Sequence, residues 1–166
     1  MLQPVVRRTL APRGQTPILE CWDRHDRLSV ISALTLAPQR QRIGLYFDIH
    51  SHNIRADDVY RFIQTIRGRL RRKIILVLDR WSVHRAAIRH LRERHARNID
   101  IELLPAYAPE LNPTEQIWNH TKYADLANYI PDDIHELGVE VAGSILQTRS
   151  KPALLRSFFN WAGLDL

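Results

Sequence analysis

Short runs rich in β-branched and aromatic residues occupy Ile18–Trp22, Leu28–Thr35 and Ile43–Ile49. Polar stretches join them: Asp23-Arg24-His25-Asp26 between the first pair and Pro38-Gln39-Arg40-Gln41 between the second. That alternation predicts an antiparallel meander. Helical spacing takes over at Asp57–Leu70, where Val59, Phe62, Ile63 and Ile66 fall on one face. The run Lys73-Ile74-Ile75-Leu76-Val77-Leu78 then reads as a buried strand. A helix near Val83–Arg97, with Ile88 and Leu91 inward, and a strand at Ile99–Leu104 follow. The remainder is helical. One helix runs from Thr114 to about Leu126, and Pro131-Asp132-Asp133 opens another with an N-terminal proline and acids suited to the dipole. Its apolar stripe is Ile134, Leu137, Val141, Ile145 and Leu146, and a last helix, Pro152–Ala162, ends at Gly163.

Antiparallel strands, then strand–helix–strand, then helices is the element order of an α/β, ribonuclease H-like mixed sheet flanked by helices, with its first central strand absent or displaced. The 166 residues suit a single domain spanning 1–166 with a real core. No repeat, low-complexity tract or Gly/Ser linker divides the chain. No apolar stretch approaches the roughly 20 residues needed to cross a bilayer, and Met1–Arg8 lacks the apolar core of a signal peptide. Cys21, the lone cysteine, excludes an intrachain disulfide or a cysteine-built zinc cluster. The expectation is a cytoplasmic protein without a membrane partner.

Charge changes the picture further. The net charge is +6, but residues 1–98 carry 20 Lys+Arg against 8 Asp+Glu, and residues 99–166 carry 4 against 10. A basic first part points to a polyanionic partner. The densest cluster is Arg67-Gly68-Arg69-Leu70-Arg71-Arg72-Lys73, and Arg7, Arg8 and Arg13 lie near the start. Runs of this kind read as nucleic-acid patches, because each neutralised phosphate releases counterions. The competing reading of Arg71, Arg72 and Lys73 is a solvated loop whose charges keep the following strand from aggregating.

Two carboxylates carry the candidate chemistry. Asp79 ends the apolar strand, and the carboxyl ends of strands are where open α/β sheets place their sites. Glu115 follows the turn-forming pair Asn112-Pro113 and projects from the first turn of a helix. Divalent magnesium takes oxygen ligands, commonly one or two carboxylates plus water and substrate phosphate. Such ions activate an attacking hydroxyl and stabilise the leaving oxygen in phosphoryl displacement. The alternatives are a cap or turn role for Asp79 and a dipole-favoured helix-start acid for Glu115.

The segment Leu78-Asp79-Arg80-Trp81-Ser82-Val83-His84-Arg85, followed by Leu104-Pro105-Ala106-Tyr107-Ala108-Pro109-Glu110-Leu111-Asn112-Pro113-Thr114-Glu115-Gln116-Ile117-Trp118, resembles the catalytic core of DDE transposases. The likeness is to the bacterial insertion-sequence group related to mariner elements, with residues 80–114 separating the acids. Arg7–Pro17, Arg27–Thr35 and Ala153–Phe159 also look like that group. The resemblance implies a ribonuclease H-like fold, Mg2+ or Mn2+, cleavage of transposon-end DNA by water, and joining of the freed 3′-hydroxyl to target DNA. It implies that Asp79 is the second catalytic, metal-binding acid and Glu115 the third. His84 matches a histidine just after the second acid, which contacts DNA or bridges to the metal site; a helix-start histidine facing solvent is the other reading. Asn112 matches the family's asparagine, and turn formation explains it equally well. Trp118 and Tyr107 read as packing residues rather than base-stacking platforms. Lys122, one helical turn beyond Trp118, is placed to reach a phosphate.

In that family the first acid precedes the segment matched here by Pro4–Gly14, so the expectation is a chain without it. Asp48, Glu20 and Asp23 are the local candidates to replace it, but they belong to strands lying outward from the first. Asp48 then reads as an exposed strand-end acid, and Asp57 and Asp58 as helix-start residues. A missing central strand leaves two sets of unpaired backbone groups. Association with another copy, or an upstream polypeptide supplying the strand, would restore them. The leading expectation is a transposase catalytic-domain fragment, impaired alone. The others are a non-catalytic, DNA-binding regulatory fragment and a nuclease that uses Asp48.

Overall fold

The computed structural model describes residues 7–15, 18, 27–94 and 98–166. The run Ile18–Trp22 (beyond Ile18 itself), Glu20, Cys21, Asp23 and the expected helix end at 95–97 lie outside the described residues.

Strands β1 (Ser29–Leu36) and β2 (Ile43–His50) pair antiparallel, from Ser29 opposite His50 to Leu36 opposite Ile43. Alternation along a strand sends neighbours to opposite faces. Val30 and Leu34 therefore join Leu45, Phe47 and Ile49 in one core, while Ile31 turns to the other. The first core is closed by α3 (Glu115–His120), α4 (Ile134–Arg149) and α5 (Pro152–Trp161), which contribute Ile117, Val141, Ile145, Leu155 and Phe158.

The second core lies between α1 (Ala56–Leu70) and α2 (Ser82–Glu93) and is built on Val59, Ile63, Ala87 and Leu91. Strands β3 (Ile74–Leu78) and β4 (Ile99–Leu103) run parallel and set Leu76, Ile99 and Ile101 against it. The expectation of a buried β3 holds for one face only. Ile75 and Val77 are 69% and 54% exposed, because α3–α5 cover the β1–β2 sheet rather than this one.

Ile31 of β1 and Leu76 of β3 pack against the same helical core, yet β1–β2 and β3–β4 are separate two-stranded sheets. Among the described residues, no strand is hydrogen-bonded between β1 and β3.

The helical half departs from expectation at three points. The helix after Thr114 is α-helical only to His120 and continues as a π turn over Thr121–Asp125. Buried polar groups hold that turn: Ser144 Oγ donates to Asp125 Oδ2 at 2.7 Å and lies 3.1 Å from Thr121 Oγ1. Helix α4 starts at Ile134 rather than Pro131, because the Asp133 carboxylate accepts the Glu136 N–H at 2.8 Å and caps it there. Leu146 is half exposed, so the stripe of α4 ends inward at Ile145. Among the described residues no helix is long and apolar enough to cross a membrane.

Candidate active site

Asp79 is the first residue beyond β3. Its Oδ1 accepts the Trp81 N–H at 2.9 Å, a side-chain turn that leads directly into α2 at Ser82. The turn role and the strand-end position therefore coexist, while α2 has no side-chain cap. Arg80 Nε donates to Leu104 O at 2.9 Å, tying the end of β3 to the end of β4. His84, one turn into α2, places Nδ1 2.6 Å from the same Asp79 oxygen. Its side chain is only 17% exposed, and the Trp81 ring meets it edge-on at 5.3 Å. Of the two readings of His84, the solvent-facing one is corrected: the ring braces Asp79. Both described contacts fall on Oδ1, and no described residue hydrogen-bonds Oδ2.

Glu115 is positioned by a second side-chain turn. Asn112 Oδ1 accepts the Thr114 N–H at 3.1 Å, and Asn112 O accepts the Glu115 N–H at 3.0 Å. Glu115 thus becomes the first residue of α3, two residues ahead of the fully buried Ile117. Burial pushes the Glu115 carboxyl above the usual carboxylate range, and the charge of Asp79 pushes it further up. Glu115 therefore senses the charge of Asp79.

The pair suits a hard divalent cation. Both donors are oxygens, one Asp79 oxygen is uncommitted, and the like-charge repulsion at Glu115 is what a cation would relieve. Among the described residues, no third acid, histidine or cysteine closes a ligand group around the two. Asp48 does not supply it: its carboxylate is 58% exposed, accepts the Ile49 N–H at 3.0 Å and lies 3.4 Å from His50. Asp57 and Asp58 open α1, as expected.

The basic residues divide by environment. Arg71 is the left-handed C-cap of α1, with φ 50°, and Arg71 and Arg72 are exposed. Lys73 Nζ lies 2.7 Å from Asp100 Oδ2, so its charge is partly answered within the protein. Lys122, in the π turn, sits 5.6 Å from the centre of the Tyr123 ring, and the Arg7 guanidinium lies 4.8 Å from that centre.

Trp118 packs against the first core, as expected, but Tyr107 does not pack. Its side chain is wholly exposed and its backbone is left-handed, with φ 57°, in the loop between β4 and Glu115. A bulky residue in that conformation is strained and worth a functional explanation. The available signal was Pro105 and Pro109, which keep helix and strand from forming around it.

Residues 1–137 match the family model for the DDE superfamily endonuclease. The chain belongs to that family. Endonucleases of the DDE superfamily depend on divalent metal, in keeping with the paired acids at the β3 end. Among solved structures the chain is similar to the crystal structure of the Mos1 strand transfer complex. The TM-score is 0.57 at 13% identity, over 96% of this chain and 49% of that one. This mixed α/β chain thus shares the ribonuclease H-like fold of Mos1 and spans about half the length of the Mos1 chain. No curated protein matches this DDE chain.

Proposed function

We propose that this DDE domain serves DNA transposition, cutting transposon ends and joining them to target DNA in the cytoplasm. Asp79 and Glu115 hold Mg2+ or Mn2+. The observation that supports this reading is the match of residues 1–137 to the DDE superfamily endonuclease, in a chain that holds Asp79 at the end of β3 and Glu115 at the first turn of α3. When bound, the cation supplies activation of a water or hydroxyl and stabilisation of charge on the phosphoryl group. The protein's own share is orientation. His84 and the Trp81 N–H fix Asp79, the Asn112 turn fixes Glu115, and Arg71, Arg72 and Lys122 attract the backbone phosphates.

In this reading a third acid, carried on an extended segment, completes the ligand set. An upstream polypeptide or a second copy of the chain provides it. One alternative is a DNA-binding regulatory fragment that competes with an active transposase, a reading supported by the exposed Arg71 and Arg72.

A nicking assay on transposon-end DNA separates the two. The chain alone, its Asp79→Asn variant and the chain extended by an upstream segment are each supplied with Mg2+ or Mn2+. Nicking that requires both the extension and Asp79 supports the transposase reading. Salt-sensitive DNA binding with no nicking in any mixture supports the regulatory one.

A further inference from the structure

A second set of ligand atoms meets where β2 passes into α1, on residues the cleavage site does not use. His50 is the last residue of β2, His52 lies in the following bend, and Asp58 is the third residue of α1. One ligand atom from each lies within 4.8 Å of the others. His52 Nε2 is 3.1 Å from Asp58 Oδ2, and the two imidazoles meet edge-on with centres 4.9 Å apart. Asp48 brings a further oxygen 3.4 Å from His50 Nε2.

Helix capping accounts for part of this cluster. Asp58 Oδ2 accepts the Arg55 N–H at 2.9 Å, and an acid three residues into a helix often does so. Capping does not account for His50. Its Nε2 is shielded from solvent and has no hydrogen-bond partner, the kind of buried polar atom that calls for an explanation.

We infer that His50, His52 and Asp58 form a binding site for a zinc-class divalent ion, with Asp48 placed to complete the coordination. Two imidazole nitrogens with carboxylate oxygens are a donor set for Zn2+ and its transition-metal neighbours, whereas Mg2+ and Ca2+ take all-oxygen sites. Tetrahedral zinc with bonds of about 2.0–2.2 Å needs its ligands roughly 3.3 Å apart. His52 Nε2 and Asp58 Oδ2 are at that spacing, the whole group lies within 4.8 Å, and the His52 side chain, 48% exposed, has room to close the remainder. The ion would staple the β2–α1 junction, apart from Asp79 and Glu115.

Chelator-treated full chain should be titrated with ZnCl2 by calorimetry in excess Mg2+, with CoCl2 as a spectroscopic probe. The expected result is one Zn2+ per chain, a tetrahedral Co2+ absorption band and a rise in Tm with added Zn2+. His50→Ala and His52→Ala should each weaken binding by more than the roughly 10–100-fold that loss of an outer-shell partner costs. Asp79→Asn should bind zinc as the unaltered chain does. His52→Ala is decisive, because a half-exposed ring can be removed without unfolding the chain, which circular dichroism checks. Failure to bind Zn2+, undiminished binding in His52→Ala, or binding lost in Asp79→Asn overturns the site. The test is independent of DNA cleavage.

Discussion

His84 Nδ1 lies 2.6 Å from Asp79 Oδ1, on the same oxygen that accepts the Trp81 N–H. Two partners on one oxygen restrain the carboxylate's rotation, and no described residue hydrogen-bonds the second oxygen. The histidine is itself held, since α2 carries it and the Trp81 ring stands against its edge at 5.3 Å. Orientation of a ligand by a neighbouring hydrogen bond is a general requirement of metal sites.

His84→Ala should therefore weaken metal-dependent nicking by the complementing assembly by about 10–100-fold, the range typical for loss of an orienting partner. DNA affinity should change little. His84→Asn, whose amide can still donate, should recover part of the activity. Gel-shift titrations beside nicking rates make the distinction: a loss confined to DNA affinity would instead make His84 a phosphate contact.

Glu115 titrates unusually, and the direction fixes a pH effect. Its carboxyl is raised, first by burial and then by Asp79, so the proton is held more tightly in the folded chain than in the unfolded one. The folded state is favoured by this group below the unfolded pKa of about 4.3, and that contribution is lost as pH rises through the higher folded value. At neutral pH the ionised pair is a liability. Glu115→Gln should raise Tm at pH 7 without divalent ions and lose the difference at pH 4. Adding Mg2+ should stabilise the unaltered chain and leave the variant unmoved. Thermal melts at two pH values, with and without metal, read all of these.

Legibility in the sequence follows how local each determinant is. Helix α1 is plain because Val59, Phe62, Ile63 and Ile66 repeat at helical spacing and all four are buried. Asp79 and Glu115 are legible because a strand end and an Asn-Pro turn each act over a few residues. β3 is half legible: the run Ile74–Leu78 marks a strand, but which face is covered depends on where α3–α5 settle. The contact between His84 and Asp79 needs the side-chain rotamer, and Tyr107 needs a positive φ that a non-glycine residue does not announce. The grouping of His50, His52 and Asp58 appears only once β2 and α1 meet.

The basic cluster after α1 should not act as a unit. Arg71 and Arg72 are exposed, whereas Lys73 is 2.7 Å from Asp100. If the first two contact phosphates, Arg71→Ala and Arg72→Ala should each reduce the salt dependence of DNA affinity by about one counterion. Lys73→Ala should have the smaller effect on binding. It should also cost at most about 1 kcal/mol of stability, since exposed ion pairs contribute little. DNA titrations across a salt series test the ranking, and an equal slope change for all three would show Lys73 leaving Asp100 for DNA.

Tyr107 is fully exposed, has φ 57° and lies eight residues before Glu115, which together suit a ring offered to an unpaired base beside the cleavage site. Stacking of one base on an aromatic ring is worth about 1–3 kcal/mol. Tyr107→Ala should therefore weaken binding of transposon-end DNA with a single-stranded overhang by roughly 5- to 150-fold, with a smaller effect on blunt duplex. Because the ring contacts no core, Tm should stay level. Tyr107→Gly should raise Tm by relieving the left-handed backbone while matching the alanine variant in DNA affinity. An unchanged affinity for the overhang in both variants would leave the strained loop as a device for placing Glu115 alone.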